Sequence, residues 1–283
     1  MILAKYIFLF GCLSPLLLGQ EGPSDGAWQW LDSLPKPWTL SQREVSDLLP
    51  QFQAHYPDFY DRLEAIALWR VGTPYKIFQL GEETPPDKDP IIRLDVSDCT
   101  AHVLTSLAFS QSTSWETARQ AMINIHYKPN DRQEHIPSYT SRWHYTTDRI
   151  LHNPYTVNIT DSLVAPQELV TVPITLNRKS DGTEFLDLDW EEDVTVRYIP
   201  NRLINTTLLE HLPRVCGVAF VRTSYFENGI VVAHEGMILD RKNLVHASMA
   251  AKQTELIDFL KYYFRAEGPL FDGIMIYKFM PFE

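Results

Sequence analysis

The apolar residues in the first half of the chain follow a helical period. Across residues 41–70 they recur every three or four positions, and Ser41 and Glu44 have the spacing of a capping box where that pattern begins. Two further helical patterns follow, one from about residue 99 and one over 114–125. The spacing therefore predicts helices in these three stretches.

From Leu169 onward the pattern changes to alternation and β-branched runs, which are typical of strands. The predicted strands lie at residues 170–176, 194–199, 216–221, 230–239, 244–247 and 273–280. A late helix is predicted over 255–264, and residues 128–163 are predicted to be mostly loop. Helices that precede an antiparallel sheet indicate an α+β fold.

The chain has 283 residues, 45% of them hydrophobic, which is enough for one large core. A lysine followed by a short apolar stretch near the start has the features of a secretory signal. We expect a signal peptide at 1–19, a linker at 20–38, and a single domain at 39–283 with an insertion around 164–200. The expected location is periplasmic or secreted, with no stable membrane insertion after signal cleavage.

The formal net charge is −11, with 36 acidic and 25 basic residues, so nucleic acid and anionic membrane surfaces are poor partners. Three cysteines are too few for a disulfide framework in a chain of this size. Cys99 and Cys216 remain once the signal is removed, and a bridge between them would block a nucleophilic role of Cys99. No cofactor is expected, and the sequence defines no oligomeric state.

Cys99 stands where a polar turn gives way to a helical pattern, at or next to the first helical position. Ser97 or Asp98 is expected to cap this helix. The free N–H groups and the dipole at a helix start favour the thiolate, which is the reactive form of cysteine. Cys99 is therefore a candidate nucleophile, beside the alternative of a small buried apolar cysteine.

Two histidines lie on a predicted β-hairpin. His234 belongs to the strand at 230–239, and His246 belongs to the next strand. Folding the hairpin about Arg241 places His234 opposite residues 246–248, where opposed Cβ atoms lie about 5 Å apart. His234 could then act as the base, and His246 could fix its tautomer.

A zinc site is a competing interpretation, because Cys99, His102, His234 and His246 supply four residues of the types that bind zinc. Cys99 and His102 share one helix face at a spacing of three positions. No second close pair of ligands accompanies them, which favours a site without metal.

Four segments resemble motifs of the bacterial NlpC/P60 superfamily of papain-like cysteine hydrolases, and most closely its N-acetylmuramoyl-L-alanine amidase-like branch, of the DUF1460 type. These segments are Gly-Thr-Pro-Tyr at 72–75, Asp-Cys-Thr within 94–103, Arg-Trp-His-Tyr at the start of 142–160, and the two strands with His-Glu-Gly at 234–236 and His-Ala-Ser at 246–248. The resemblance spans about residues 60–280.

The resemblance implies a papain-like α+β fold in which the nucleophile helix packs on a small antiparallel sheet. It implies Cys99 as nucleophile, His234 as base and His246 as the polar third member. The implied reaction is hydrolysis of the amide between the N-acetylmuramoyl group and L-alanine in peptidoglycan or muropeptides. Aromatic faces suit sugar rings, and arginine suits carboxylates. The candidate substrate-binding residues are Tyr75, Asp98, Arg142, Trp143 and Tyr145.

Several positions depart from the family pattern. His102 and Leu104 stand where an aromatic and an acidic residue are usual. Arg149 stands in place of a tryptophan, and Cys216-Gly217 stands in place of Gly-Asp. The catalytic trio is unaffected, and these changes bear on substrate preference. Two other functions stay open: a stem-peptide endopeptidase and a catalytically silent cell-wall binding protein.

Overall fold

The structure is a computed structural model that describes residues 25–282. The predicted signal peptide at 1–19 lies outside the described residues. The described part of the predicted linker contains helix α1 (Asp25–Ser33), in which Trp30 stacks on His55 with ring centroids 4.1 Å apart. Within residues 25–282, no helix has both the length and the apolar character needed to span a bilayer.

Helices form in the three stretches predicted from the first half of the chain, with one division. After α1, the α-helices of the described residues are α2 (Gln42–His55), α3 (Phe59–Trp69), α4 (Cys99–Ser110), α5 (Trp115–His126), α6 (Thr146–His152), α7 (Thr206–His211) and α8 (Phe259–Tyr263). Helices α1, α6 and α7 lie where no helix was predicted. The capping box of Ser41 and Glu44 is present at α2. The single helix predicted over 41–70 is wrong, because Pro57 disfavours helical backbone at the residue before it and Asp58 caps a new helix.

The strands form one large antiparallel sheet and one small hairpin. They are β1 (Thr156–Asn158), β2 (Val170–Leu176), β3 (Glu192–Pro200), β4 (Val215–Val221), β5 (Val232–Leu239), β6 (Asn243–Ser248), β7 (Gln253–Asp258), β8 (Phe264–Arg265), β9 (Gly268–Pro269) and β10 (Gly273–Phe279). The large sheet has the order β2-β3-β10-β4-β5-β6-β7, and β1 also pairs with β10. The α+β class with an antiparallel sheet is thus confirmed.

Two predictions of secondary structure are corrected. The segment 128–163 contains α6 and β1 rather than loop alone. The helix predicted over 255–264 is instead β7 followed by the short α8. The physical reason is tertiary, since β7 completes the edge of the sheet by pairing with β6 from Asn243↔Asp258 to Ser248↔Gln253.

The large sheet separates two apolar cores. Helix α4 packs on β5 and β6, and its residues 101–110 are all buried in or beside the larger core. On the other face, α7 and α8 cover a smaller core around Phe220. Gly217 on β4 is required by close approach, since a Cβ there would lie 2.1 Å from the ring of Tyr277. The start of α4 is therefore held firmly against the sheet.

Candidate active site

Cys99 is the first residue of α4, as predicted. Asp98 is the N-cap, and its carboxylate accepts hydrogen bonds from the backbone N–H groups of Ala101 and Phe78, both at 2.8 Å. The bond from Ala101 fixes the start of α4, and the bond from Phe78 connects that helix start to the segment that contains Tyr75. Asp98 therefore positions the candidate nucleophile.

The surroundings of Cys99 favour the neutral thiol over the predicted thiolate. Burial raises the pKa of Cys99 to about 12, and the carboxylates of Asp98 and Glu235 act in the same direction. The backbone N–H of Glu235 opposes this shift without reversing it. Desolvation and two nearby acids therefore act against the thiolate that the helix start is expected to favour.

The two histidines are in direct contact. His234 Nε2 and His246 Nδ1 are 2.8 Å apart, and the ring centroids are 4.9 Å apart. The hairpin turns at Asp240 and Arg241, both with the positive φ that a tight hairpin turn requires. A Cβ at Gly236 would come within 3.0 Å of the Cβ of His246, so glycine permits this close approach.

A carboxylate extends the histidine pair. Glu255 on β7 lies opposite His246 on β6, and its Oε1 is 3.3 Å from His246 Nε2. Sequence reasoning missed Glu255, since the predicted late helix would have carried it away from His246. The signal that could have found it is the alternation of Thr254, Glu255 and Leu256 just after the histidine strand.

Both imidazoles are neutral near pH 7. Burial lowers the pKa of His234 to about 3 and that of His246 to about 4. Glu255 opposes the shift at His246. Each ring therefore carries one proton and retains one lone pair for accepting another.

An aromatic wall surrounds the pair on the face that carries α8. The ring of His234 lies parallel to those of Phe220 and Phe271, at centroid distances of 5.5 and 6.3 Å. Tyr262 packs on His246 at 4.5 Å. This apolar surround explains the depressed pKa values of both histidines.

Cys99 lies beside the section of β5 that contains His234 and Glu235. In the described part of the chain, the side chains of Cys99 and His234 do not form a hydrogen bond with each other. The β5–β6 ladder covers Met237↔Val245 to Leu239↔Asn243, so it ends before His234 and Glu235. Here the backbone N–H of Glu235 is near enough to Cys99 to lower the pKa of its thiol. The structure thus brings the nucleophile candidate to the residue that follows the base candidate.

A buried polar network, which sequence reasoning missed, lies under the site. The carboxylate of Glu235 accepts from Arg149 at 2.5 Å, from the hydroxyl of Tyr277 at 2.6 Å and from that of Thr100 at 2.8 Å. Arg149 and Glu235 are both almost fully buried. The available signal was Glu235, an acid within the largely apolar strand β5; the segment around Arg149 is polar and gave no such signal.

The candidate substrate-binding residues fall into two groups. Tyr75 is half-buried beside the nucleophile, with its backbone bridged to Ser97, and the charges of Cys99 and Asp98 act on its hydroxyl. The other candidates are engaged within the chain. Arg142 is paired with Glu82 and Asp87; Trp143 is 7% exposed; Tyr145 is 6% exposed and donates to Asn177.

Neither zinc nor a disulfide is supported by the arrangement around Cys99. Cys99 and Cys216 are free thiols, so the bridge considered from sequence is not formed. Among residues 25–282, the side chains that come close enough to share a metal ion are Asp148, His152 and Glu192, rather than the four zinc candidates. There, Lys128 Nζ already lies 2.6 Å from Asp148 Oδ2.

Comparison with known proteins identifies the family. Residues 65–268 match the model of the AmiA-like family, described as N-acetylmuramoyl-L-alanine amidase-like. This match covers more than half of the chain, which therefore belongs to that family. No curated protein matches the chain.

Solved structures share the fold. A Legionella pneumophila protein of the DUF1460 family has 19% sequence identity and a TM-score of 0.67, covering 84% of this chain and 95% of its own. An N-acetylmuramoyl-L-alanine amidase from Bacteroides uniformis has 18% identity and a TM-score of 0.58, covering 77% and 98%. A putative xylanase from Bacteroides fragilis has 21% identity and a TM-score of 0.57, covering 76% and 99%.

Proposed function

We propose that this protein is a cysteine amidase that hydrolyses the bond between the N-acetylmuramoyl lactyl group and L-alanine in peptidoglycan fragments. Membership of the amidase-like family supports the reaction class. The observation that carries the catalytic assignment is the 2.8 Å contact of His234 and His246 on the strand whose Glu235 N–H reaches the Cys99 thiol.

The contacts of His246 determine which nitrogen of His234 acts as base. Glu255 faces His246 Nε2, so that nitrogen carries the proton and His246 Nδ1 accepts. His234 Nε2–H then donates to His246, and the lone pair of His234 lies on Nδ1. The proposed base is therefore His234 Nδ1.

The reaction begins from a neutral thiol and a neutral imidazole. As the sulfur bonds to the lactyl carbonyl carbon, the thiol proton passes to His234 Nδ1. The backbone N–H of Cys99 at the start of α4 stabilises the oxyanion. Collapse breaks the C–N bond, His234 returns its proton to the alanine nitrogen, and a thioester remains. Water then attacks the thioester with His234 as base, the C–S bond breaks and His234 returns the proton to the sulfur, and the muramoyl carboxylic acid releases its own proton to solvent.

Digestion of defined muropeptides followed by mass spectrometry tests this assignment. We expect release of an intact stem peptide and a sugar with a free lactyl carboxylate. A shortened stem peptide would instead identify an endopeptidase. Activity of the Cys99→Ala variant equal to that of the wild type would remove Cys99 as nucleophile, and the Cys216→Ala variant serves as the matched cysteine control.

We further propose the papain-like NlpC/P60 fold for this chain, in which the nucleophile helix packs on the sheet next to the histidine strands. The packing of α4 on β5 and β6 supports it. Secretion or periplasmic location follows from the apolar segment at 1–19. Expression in a Gram-negative host, fractionation and N-terminal sequencing test it; an uncleaved cytoplasmic product would contradict it.

A catalytically silent cell-wall binder is the second candidate, and the raised pKa of Cys99 favours it. In that case the protein would bind muropeptides without releasing product. Equilibrium binding measured together with turnover on the same muropeptide separates the two functions.

A further inference from the structure

Two arginines lie on the outer side of the aromatic wall that surrounds the histidine pair. The guanidinium carbon of Arg265 is 5.5 Å from the ring centroid of Tyr262, the ring that packs on His246. The guanidinium carbon of Arg222 is 5.2 Å from the ring centroid of Phe271, the ring that lies parallel to His234. Each cation is thus one aromatic ring away from a histidine of the candidate site.

Neither arginine has a carboxylate partner within residues 25–282. Arg222 donates to the carbonyl of Leu270 at 2.7 Å, and Arg265 donates from Nε to the carbonyl of Tyr262 at 3.0 Å. These bonds hold the side chains in place and leave the other guanidinium donors free. In the same structure, surface arginines such as Arg93, Arg119 and Arg197 are paired with acids.

The lack of an acid alone does not distinguish these two arginines, since Arg132, Arg202 and Arg241 also have no acidic partner in the described chain; the position of Arg222 and Arg265 beside the histidine pair does. The chain has 36 acidic and 25 basic residues, so partners for a surface arginine are abundant. Two acids lie near these arginines without pairing with them: Glu255 faces His246, and Asp272 accepts hydrogen bonds from Thr223. Two anchored, unpaired guanidinium groups next to a candidate active site form a receptor for an anion.

The proposed chemistry indicates which part of the substrate lies there. His234 must return its proton to the alanine nitrogen, so the leaving peptide has to lie over the histidine pair. The rings of the aromatic wall are buried, so the residues that follow L-alanine extend past its solvent-facing edge, toward Arg222 and Arg265. The sugar occupies the opposite side of the scissile bond.

We propose that Arg222 and Arg265 bind the free carboxylates of the stem peptide, so that the enzyme selects muropeptides with ionised rather than amidated stems. This inference rests on the proposed function and names the substrate class of the same site. A guanidinium pairs with a carboxylate through two parallel hydrogen bonds. A primary amide carries no negative charge and cannot accept the same pair of bonds.

The test compares two muropeptides that differ in one group, a free or an amidated α-carboxylate on the second stem residue. Wild-type kcat/KM should be at least tenfold higher for the carboxylate form. Arg222→Gln and Arg265→Gln should each reduce kcat/KM for that form by tenfold or more, mainly through KM, and the double variant should lose the preference. Arg132→Gln, at an exposed arginine without a side-chain partner in the described chain, should match the wild type.

Variants that remain within twofold of the wild type on the carboxylate form would overturn the inference, as would equal wild-type rates on both substrates. Binding of the free stem peptide to Cys99→Ala is measured with and without each arginine substitution. This measurement separates failure of the carboxylate-site inference from failure of the proposed amidase function. If no muropeptide is hydrolysed but arginine-dependent binding persists, the amidase assignment fails and the carboxylate site stands. If the peptide does not bind, or binds equally without the arginines, the carboxylate site fails.

Discussion

The Cys99 thiol is subject to opposing influences. Its place at the start of α4 favours the anion, whereas burial and the carboxylates of Asp98 and Glu235 favour the protonated form and prevail. The helix position was visible in the sequence. Asp98 was visible as well, as the residue before Cys99, but Glu235 was not, because it comes near Cys99 only through tertiary packing.

Alkylation of Cys99 by iodoacetamide should therefore be slow at mildly acidic pH. With a pKa of about 12, the thiolate fraction and the alkylation rate should rise about tenfold per pH unit between pH 6 and 9. Peptide mapping by mass spectrometry measures this rate, and the fully buried Cys216 should stay unlabelled in the folded protein. A rate that is already constant below pH 7 would show a preformed thiolate instead.

In the proposed mechanism, His246 acts through His234 rather than on the substrate. Replacing it by alanine removes the acceptor that fixes the tautomer of His234, so we expect kcat to fall by about 100-fold with little change in KM. Steady-state kinetics with a defined muropeptide measures the effect. Asparagine at the same position should recover part of the loss, and an unchanged kcat in His246→Ala would contradict the role.

At the level of elements, the Glu235 network links α4, α6, β5 and β10 beneath the site. Thr100, Arg149 and Tyr277 each contribute a donor to one carboxylate. A buried ion pair of this kind is costly to break from one side, because the remaining charge has no partner.

Arg149→Met should consequently lower the free energy of unfolding by about 3–5 kcal/mol, as expected when one partner of a buried pair is removed. Urea denaturation followed by circular dichroism measures this. The double variant Arg149→Met/Glu235→Gln should recover part of the loss. The exposed pair of Arg197 and Asp161 is the control, where Arg197→Met should cost less than about 1 kcal/mol. A loss below that value at Arg149 would contradict the network's structural role.

The elements that the sequence predicted well depend on local signals. The start of α4 follows from Asp98 and the apolar stripe after Cys99, and the histidine hairpin follows from two β-patterned runs around a short polar turn. The failures are non-local. Strand β7 forms because β6 offers an edge, and the pairing of Arg149 with Glu235 joins residues far apart in the chain.

For the molecule as a whole, buried histidines determine how stability responds to acid. Burial lowers the pKa values of His102, His126, His234 and His246. The unfolded chain binds protons below its histidine pKa of about 6.5, whereas the folded chain does not until its lower pKa is reached. The stability contributed by neutral histidines is therefore present above pH 6.5 and is lost as the pH falls.

Urea denaturation at pH 7 and pH 5 tests this dependence. His234 and His246 should each cost about 2 kcal/mol over the interval from pH 6.5 to 5, at about 1.36 kcal/mol per unit, and His102 and His126 act in the same direction. Glu64 has the opposite effect, since burial raises its pKa to about 7 and its contribution is lost as the pH rises through that value. We therefore expect the wild type to be less stable at pH 5 than at pH 7. Glu64→Gln should lose more stability between these two pH values than the wild type does. Equal stability at both pH values in Glu64→Gln would contradict the account.

The central claim is that Cys99 forms a thioester with the muramoyl part of the substrate. The most direct measurement is intact-protein mass spectrometry of enzyme mixed with muropeptide and quenched in acid within milliseconds, followed by mapping of the modified peptide. The account predicts a mass increase equal to the sugar-lactyl acyl group, located on Cys99. Full turnover by Cys99→Ala, or an adduct on another residue, would contradict it.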